Sequence, residues 1–264
     1  MAISLSSLNR LSVPKPPRIV IYGPHGIGKN SFAGSAPRPV LINIEDGHPT
    51  GQPIDAFPKA DSFQDVMDAM AALYAEKHDF ETLVVDSLDW FEPLVWAETV
   101  RRNNVANPSK PWASIEDAGY GRGFVATLDV WREYLDAINA LRNDKGMAVI
   151  QTAHAEVKRF DSPETEPFDR YQIKLHKLAS ALVQEHADMV LFANFKTSVT
   201  RTDVGMKKVV RGVGAGTRAL YTEERPAFLA KNRHNLPAEL PLSWEALASA
   251  MAASSEAART SEAA

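Results

Sequence analysis

The sequence predicts an α/β domain with a largely parallel central sheet flanked by helices. Three observations carry this reading. Short apolar runs alternate along the chain with segments of helical period, and several runs lack the apolar/polar alternation of a strand with one wet face. A third is a Gly-rich segment directly after the first run, placed between a strand and a helix as a phosphate-binding turn must be.

The runs are RIVIYG (18–23), PVLINI (39–44), TLVVD (82–86), GMAVIQT (146–152), DMVLFANF (188–195) and PAFLAK (226–231). Residues 62–77 carry a helix pattern, with Phe63, Val66, Met67, Met70, Leu73 and Tyr74 on one stripe and Ser62 as N-cap. Residues 122–142 carry a second, in which Phe124, Leu128, Trp131, Leu135, Ile138 and Leu141 recur at threes and fours. A third, 173–186, has Leu175, Leu178, Leu182 and Val183. Ligands of such sheets bind at the carboxyl ends of strands, so the residues after each run are the candidates for function.

Composition bounds the rest. At 264 residues with 45% hydrophobic and 23% charged, the chain is long and apolar enough for a sizeable core. The absence of cysteine removes disulfide frameworks, thiolate zinc sites, Fe–S clusters and cysteine nucleophiles. Lys+Arg 29 against Asp+Glu 33, net −4, does not advertise a nucleic-acid binder, although a local basic loop remains open. No run approaches the roughly 20 apolar residues of a membrane span, so a cytoplasmic location is expected. Residues 1–17 read as a Ser- and Pro-rich arm, 18–248 as the folded domain, and 249–264 as a tail with too few large apolar side chains to order itself.

The Gly-rich segment is Gly23-Pro24-His25-Gly26-Ile27-Gly28-Lys29-Asn30-Ser31, a G-x-x-x-x-G-K pattern followed by Asn instead of Ser or Thr. Glycines let the backbone curl so that successive N–H groups face inward, and the lysine reaches the β- and γ-phosphates. These nine residues are the candidate ATP cradle. The hydroxyl usual at position 30 ligates Mg²⁺; an amide oxygen is a bulkier substitute, and Ser31 comes one residue late. ATP binding is thus the safer expectation and fast hydrolysis the weaker one.

Phosphoryl transfer needs a metal near the phosphates and a residue to orient water. The third run ends at Asp86, as a Walker B strand does, making Asp86 with Asn30 the candidate Mg²⁺ ligands; Asp89, close behind, reads as a helix cap. The second run ends at Glu45, placed to activate the attacking water. The fourth leads to His154, either a sensor of the γ-phosphate or a structural hydrogen-bonder. No H-E-x-x-H or G-x-S-x-G occurs, which excludes the zinc and serine hydrolases that use them. Beyond His154, Lys158, Arg159, Phe160, Arg170 and Lys174 interleave cations with rings in a loop or hairpin. That chemistry suits single-stranded DNA, although neighbouring carboxylates nearly cancel its charge and a solvated or oligomer-contact hairpin is the alternative. Residues 101–123 and the cationic stretch Lys207, Lys208, Arg211 are further loop candidates, the latter as a hairpin near a subunit interface.

In this order the pieces resemble the RecA-like ATPases. Glu45 resembles the glutamate ending that family's second strand, Asp86-Ser87 its Walker B end, and His154 its polar sensor. Ala230-Lys231-Asn232-Arg233 is similar to the A-K-x-R segment of replicative hexameric helicases. A narrower resemblance is to the phage-encoded RecA-like ATP-binding proteins grouped with single-strand annealing and recombination functions. It spans about residues 18–245. It implies a RecA-like P-loop NTPase core with C-terminal antiparallel strands, and Mg²⁺-ATP held at the interfaces of a ring or filament. Lys231 and Arg233 would act on the neighbour's ATP, where the residues alone read rather as a solvated rim. Single-stranded DNA is the implied partner, possible company a single-strand-binding protein, and a bacterial host's cytoplasm the implied setting. Two rivals stay open, a hexameric helicase or translocase motor and a nucleotide-gated scaffold that does not hydrolyse.

Overall fold

The structure is a computed structural model that describes residues 15–47, 51–162, 166–204 and 207–262, with side chains except at 197–204, 207–215, 258, 261 and 262. The arm expected over 1–17 lies outside the described residues up to residue 14.

Ten strands form the sheet: β1 (Arg18–Gly23), β2 (Pro39–Asn43), β3 (Asp55–Ala56), β4 (Thr82–Asp86), β5 (Ala148–Phe160), β6 (Phe168–Ile173), β7 (Met189–Val204), β8 (Lys207–Tyr221), β9 (Lys231–Asn232) and β10 (Glu239–Pro241). Their order is β10-β8-β7-β1-β5-β4-β2-β3, with β6 paired to β5 and β9 to β7. The pairs β7–β1, β1–β5, β5–β4, β4–β2 and β2–β3 are parallel. The pairs β7–β8 and β8–β10 are antiparallel. This is the expected fold class, a mostly parallel α/β core with antiparallel strands near the C-terminus. The topology has one consequence for function. β5 lies between β1 and β4, so the loop after β1 and the carboxylate ending β4 face each other across the end of β5.

The strands lack polar alternation because both faces are covered. In β1, Val20 and Tyr22 pack on one side with α2 (Phe63–Ala75), α3 (Leu88–Ala106), α4 (Arg122–Asp144) and α5 (Lys177–His186). Ile19 and Ile21 pack on the other with α1 (Lys29–Gly34) and α6 (Trp244–Glu262). Burying such side chains is the main driving force for folding, each contributing about 1.5–3 kcal/mol. α2 begins at a capping box: Ser62 Oγ accepts from Asp65 N (3.1 Å) while Asp65 Oδ2 accepts from Ser62 N (2.8 Å).

Three elements differ from the sequence reading. PAFLAK is no regular strand: only Lys231–Asn232 joins the sheet, because Phe228 turns inward to stack on Phe192 (4.7 Å) and Tyr221 (4.8 Å). Residues 249–262, expected to be a disordered tail, continue α6. Leu247 is buried, Ala250 and Met251 pack beside it, and the alanine-rich remainder has high helix propensity. Residues 101–106 are the last turn of α3, a helix that the apolar pattern hides because Pro93 sits in its first turns and Glu92 and Glu98 are buried within it. The stretch containing Lys207, Lys208 and Arg211, expected as a hairpin, lies on β8, which pairs antiparallel with β7 as the second arm of one; the side chains of those three residues lie outside the described set. Among the described residues, no helix is long and apolar enough to cross a membrane.

Candidate functional site

The carboxyl ends of β1, β2, β4 and β5 open into one cavity of 490 Å³, lined by His25, Gly26, Gly28, Lys29, Asn30, Ser31, Glu45, Gly47, Asp86, His154 and Arg218. The loop that floors it is shaped by its glycines. At Gly23 the chain passes so close to β7 that an added Cβ would lie 2.2 Å from the Ala193 carbonyl oxygen. Gly28 has φ +109, a backbone that L side chains rarely adopt. Ile27 is fully buried in the core and pins the loop from below.

Lys29 is buried, its ammonium donating to the carbonyl oxygens of Gly23 and Pro24, both at 3.1 Å. Burial pulls its pKa down, while Asp86, Asp89 and Glu45 push it back up. Such an ammonium, held by two neutral carbonyls, is poised to exchange them for phosphate oxygens.

Asp86 is engaged on both carboxylate oxygens. Asn30 Nδ2 donates to its Oδ2 (2.6 Å), and Thr152 Oγ1 donates to its Oδ1. Burial pushes the Asp86 pKa up, against the hydrogen bonds from Thr152 and Asn30. Since a carboxylate only accepts, the Asn30 amide must turn its NH₂ toward Asp86 and its oxygen away.

Glu45 accepts from Ser87 Oγ (3.0 Å) and lies 3.8 Å from His154 Nδ1. His154 is held firmly: its backbone N donates to Asp89 Oδ1 and its Nδ1 bonds Asp89 Oδ2, each at 2.9 Å. Its ring lies 4.1 Å from that of His25 in the phosphate loop. Burial raises the Asp89 pKa, but the bonds from His154 outweigh it and hold the group low. Asp89 is therefore the residue that orients His154 as well as a first-turn acid of α3. The reading of Asp89 as a plain cap missed this, because only the fold brings residues 89 and 154 together.

The other sequence candidates lie elsewhere. Lys231 Nζ donates to the carbonyls of Gln184 (2.8 Å), Glu185 (3.2 Å) and Ala187 (2.8 Å), capping the carboxyl end of α5. Arg233 Nη1 reaches Asp188 Oδ1 at 3.4 Å, where Arg18 (2.9 Å) and Arg142 (3.2 Å) also converge. Arg18 opens β1 and Gly23 closes it, so these cations stand about 17 Å, one strand length, from their own phosphate loop. The hairpin candidates lie on β5 and β6. Lys158 pairs with Glu156 (2.7 Å) and Arg159 with Asp161 (3.2 Å). Phe160 packs on Phe168 at 5.4 Å, and Lys174 is exposed, 4.0 Å from Asp89. Arg170, expected among the DNA contacts, is buried: it pairs with Glu224, donates to the Phe228 carbonyl and sits over the Phe160 ring. It fastens the hairpin to the 224–228 turn and has no free face. Residues 163–165 at the hairpin tip lie outside the described set.

Both roots of this hairpin are tied to α3. Asp89 holds His154 at its start, and one turn later Glu92 accepts from His176 N with both oxygens at 3.0 Å. Burial pushes Glu92 up to about 7.

Glycine torsions, a buried lysine and an open cavity fit a nucleoside triphosphate. Among the described residues, no free-standing cluster of three His, Asp or Glu would hold an ion. A magnesium ion would arrive with the phosphates and use Asp86, after Asn30 releases it.

Fold and loop together define a P-loop α/β protein. The chain belongs to the AAA domain family, whose model (AAA_24) matches residues 15–234. Among solved structures it is similar to the crystal structure of the RadB recombinase, at 14% identity over 88% of this chain and 90% of that one, with a TM-score of 0.46. No curated protein matches it.

Proposed function

We propose that the protein binds Mg²⁺-ATP at subunit interfaces and uses it to control assembly on single-stranded DNA, in phage-type recombination or strand annealing. The observation that carries this is the convergence of Lys29, Asp86, Glu45 and His154 on one cavity above a glycine-shaped loop. Lys29 would bind the β- and γ-phosphates and Asp86 the metal, which would neutralise charge on the phosphates. Glu45 would take a proton from the attacking water, and His154, set by Asp89, would sense the γ-phosphate. With Asp86 engaged by Asn30, turnover is weak.

Assembly follows from charge. The cluster at the start of β1 gathers Arg18, Arg142, Arg233 and Lys231 around the carboxylate Asp188, while Glu45, Asp86 and Asp89 crowd the opposite end. Head-to-tail stacking brings the cationic end of one chain to the phosphate end of the next, a heterologous contact that closes as a ring or continues as a filament. Arg233, half-exposed and the most loosely held of the three arginines on Asp188, is the cation free to reach a neighbour's phosphates; Lys231 positions it by capping α5.

Electron microscopy with single-stranded DNA tests this. Filaments or rings are expected with a non-hydrolysable ATP analogue and none without it, and Arg233→Ala should lose cooperative ATPase with nucleotide affinity nearly intact. Monomers under all conditions, or equal loss of affinity and cooperativity, would contradict the interface role.

DNA contact is assigned to Lys158, Arg159, Phe160 and Lys174 on the β5–β6 hairpin, because its roots at His154 and His176 are fastened to α3 beside the cavity. Binding through two or three phosphate contacts should weaken about tenfold between 50 and 200 mM salt, and Lys158→Ala with Arg159→Ala should flatten that slope. An unchanged slope would place the contact elsewhere.

A further inference from the structure

Arg218 lines the cavity. It lies on β8 opposite Phe195 of β7, at the level where the antiparallel strands pass the phosphate loop. Its Nη1 comes within 2.9 Å of where a Gly28 Cβ would be, with Leu242 Cδ2 at 3.8 Å on the same spot. Any side chain at position 28 would thus meet the guanidinium. Among the described residues Arg218 makes no hydrogen bond or ion pair, whereas Arg18, Arg142, Arg170 and Arg233 all have carboxylate partners.

Charge gives this position meaning. Without Arg218 the lining holds one cation, Lys29, against two carboxylates, Glu45 and Asp86. A triphosphate entering that lining would meet a net negative wall, and Asn30, a neutral amide, adds no charge to offset it. Arg218 brings the lining to neutrality before any metal arrives. A guanidinium also matches phosphate geometry better than an ammonium does, because it donates two parallel N–H bonds.

We propose that Arg218 is a phosphate-contacting residue supplied by the same chain, lifting off Gly28 to bind non-bridging oxygens of a nucleoside di- or triphosphate. The inference rests on the nucleotide reading of the cavity and adds to it the cation that Lys29 alone does not provide. It assigns to β8 a direct role at the site, distinct from the one proposed for Arg233 at a neighbouring chain's nucleotide.

The test compares wild type, Arg218→Ala and Arg218→Lys in calorimetric titrations with ATP, and in competition with inorganic tripolyphosphate. Arg218 is exposed and makes no hydrogen bond or ion pair among the described residues, so the variants should keep the wild-type melting temperature. Arg218→Ala is expected to weaken both ATP and tripolyphosphate by about tenfold or more, and Arg218→Lys to recover part of the loss. Unchanged ATP affinity in Arg218→Ala overturns this inference and leaves the nucleotide reading standing. Loss of ATP affinity with tripolyphosphate unaffected also overturns it, since the contact would then be to base or sugar. A wild-type chain that binds neither ligand overturns both.

Discussion

Lys29→Ala is expected to weaken ATP binding by about 100-fold, close to 3 kcal/mol, while the protein stays folded. The Lys29 ammonium sits in the cavity floor on two carbonyl oxygens of its own loop, with three carboxylates near enough to affect its pKa. Phosphate oxygens are stronger acceptors for it than neutral carbonyls, so the gain on binding comes from the exchange. Alanine removes both the bonds and the positive charge and leaves Glu45 and Asp86 facing the phosphates. Stability should change little, because the two carbonyls that lose the ammonium border an open cavity and can be hydrated there. Equilibrium titration with a fluorescent ATP analogue measures the loss, and thermal melting checks the fold. An affinity equal to the parent's would mean that the loop does not hold phosphate.

Asn30→Thr is expected to have the opposite sign on turnover. In the parent, the Asn30 amide donates to Asp86 at 2.6 Å and Thr152 engages the other oxygen, so the carboxylate meant for the metal is engaged on both sides. Threonine is shorter and carries a hydroxyl that can itself ligate Mg²⁺, which frees one Asp86 oxygen and adds a ligand. ATP hydrolysis should rise by about tenfold, with its magnesium midpoint moved to lower concentration. A magnesium titration and turnover indistinguishable from the parent's would show that Asn30 does not restrain the site.

The sequence made the sheet legible because both of its faces are buried: β1, β2, β4 and the first parts of β5 and β7 read as apolar runs. The residues after those runs were legible as candidates because parallel strands deliver their ends to one edge. What stayed hidden depends on distance along the chain. The hydrogen bond from Asn30 to Asp86 spans 56 residues, and the orientation of His154 by Asp89 spans 65; neither leaves a local pattern. Arg170 looked available because its neighbours are polar, yet Glu224, 54 residues away, makes its burial tolerable. Arg218 escaped notice in a glycine-rich stretch whose partner strand supplies the order. α3 escaped because buried Glu92 and Glu98 break its apolar stripe; Glu98 is satisfied by Arg101 and Arg102 on the same helix, but Glu92 only by the distant His176 N–H that the fold brings near.

The most direct test is calorimetric titration of ATP into the purified protein in the presence of magnesium. The account predicts a saturable heat with one ATP per chain, absent from Lys29→Ala. No heat of binding in the parent chain, or the same isotherm for parent and Lys29→Ala, would contradict the assignment of residues 23–31 as the phosphate site.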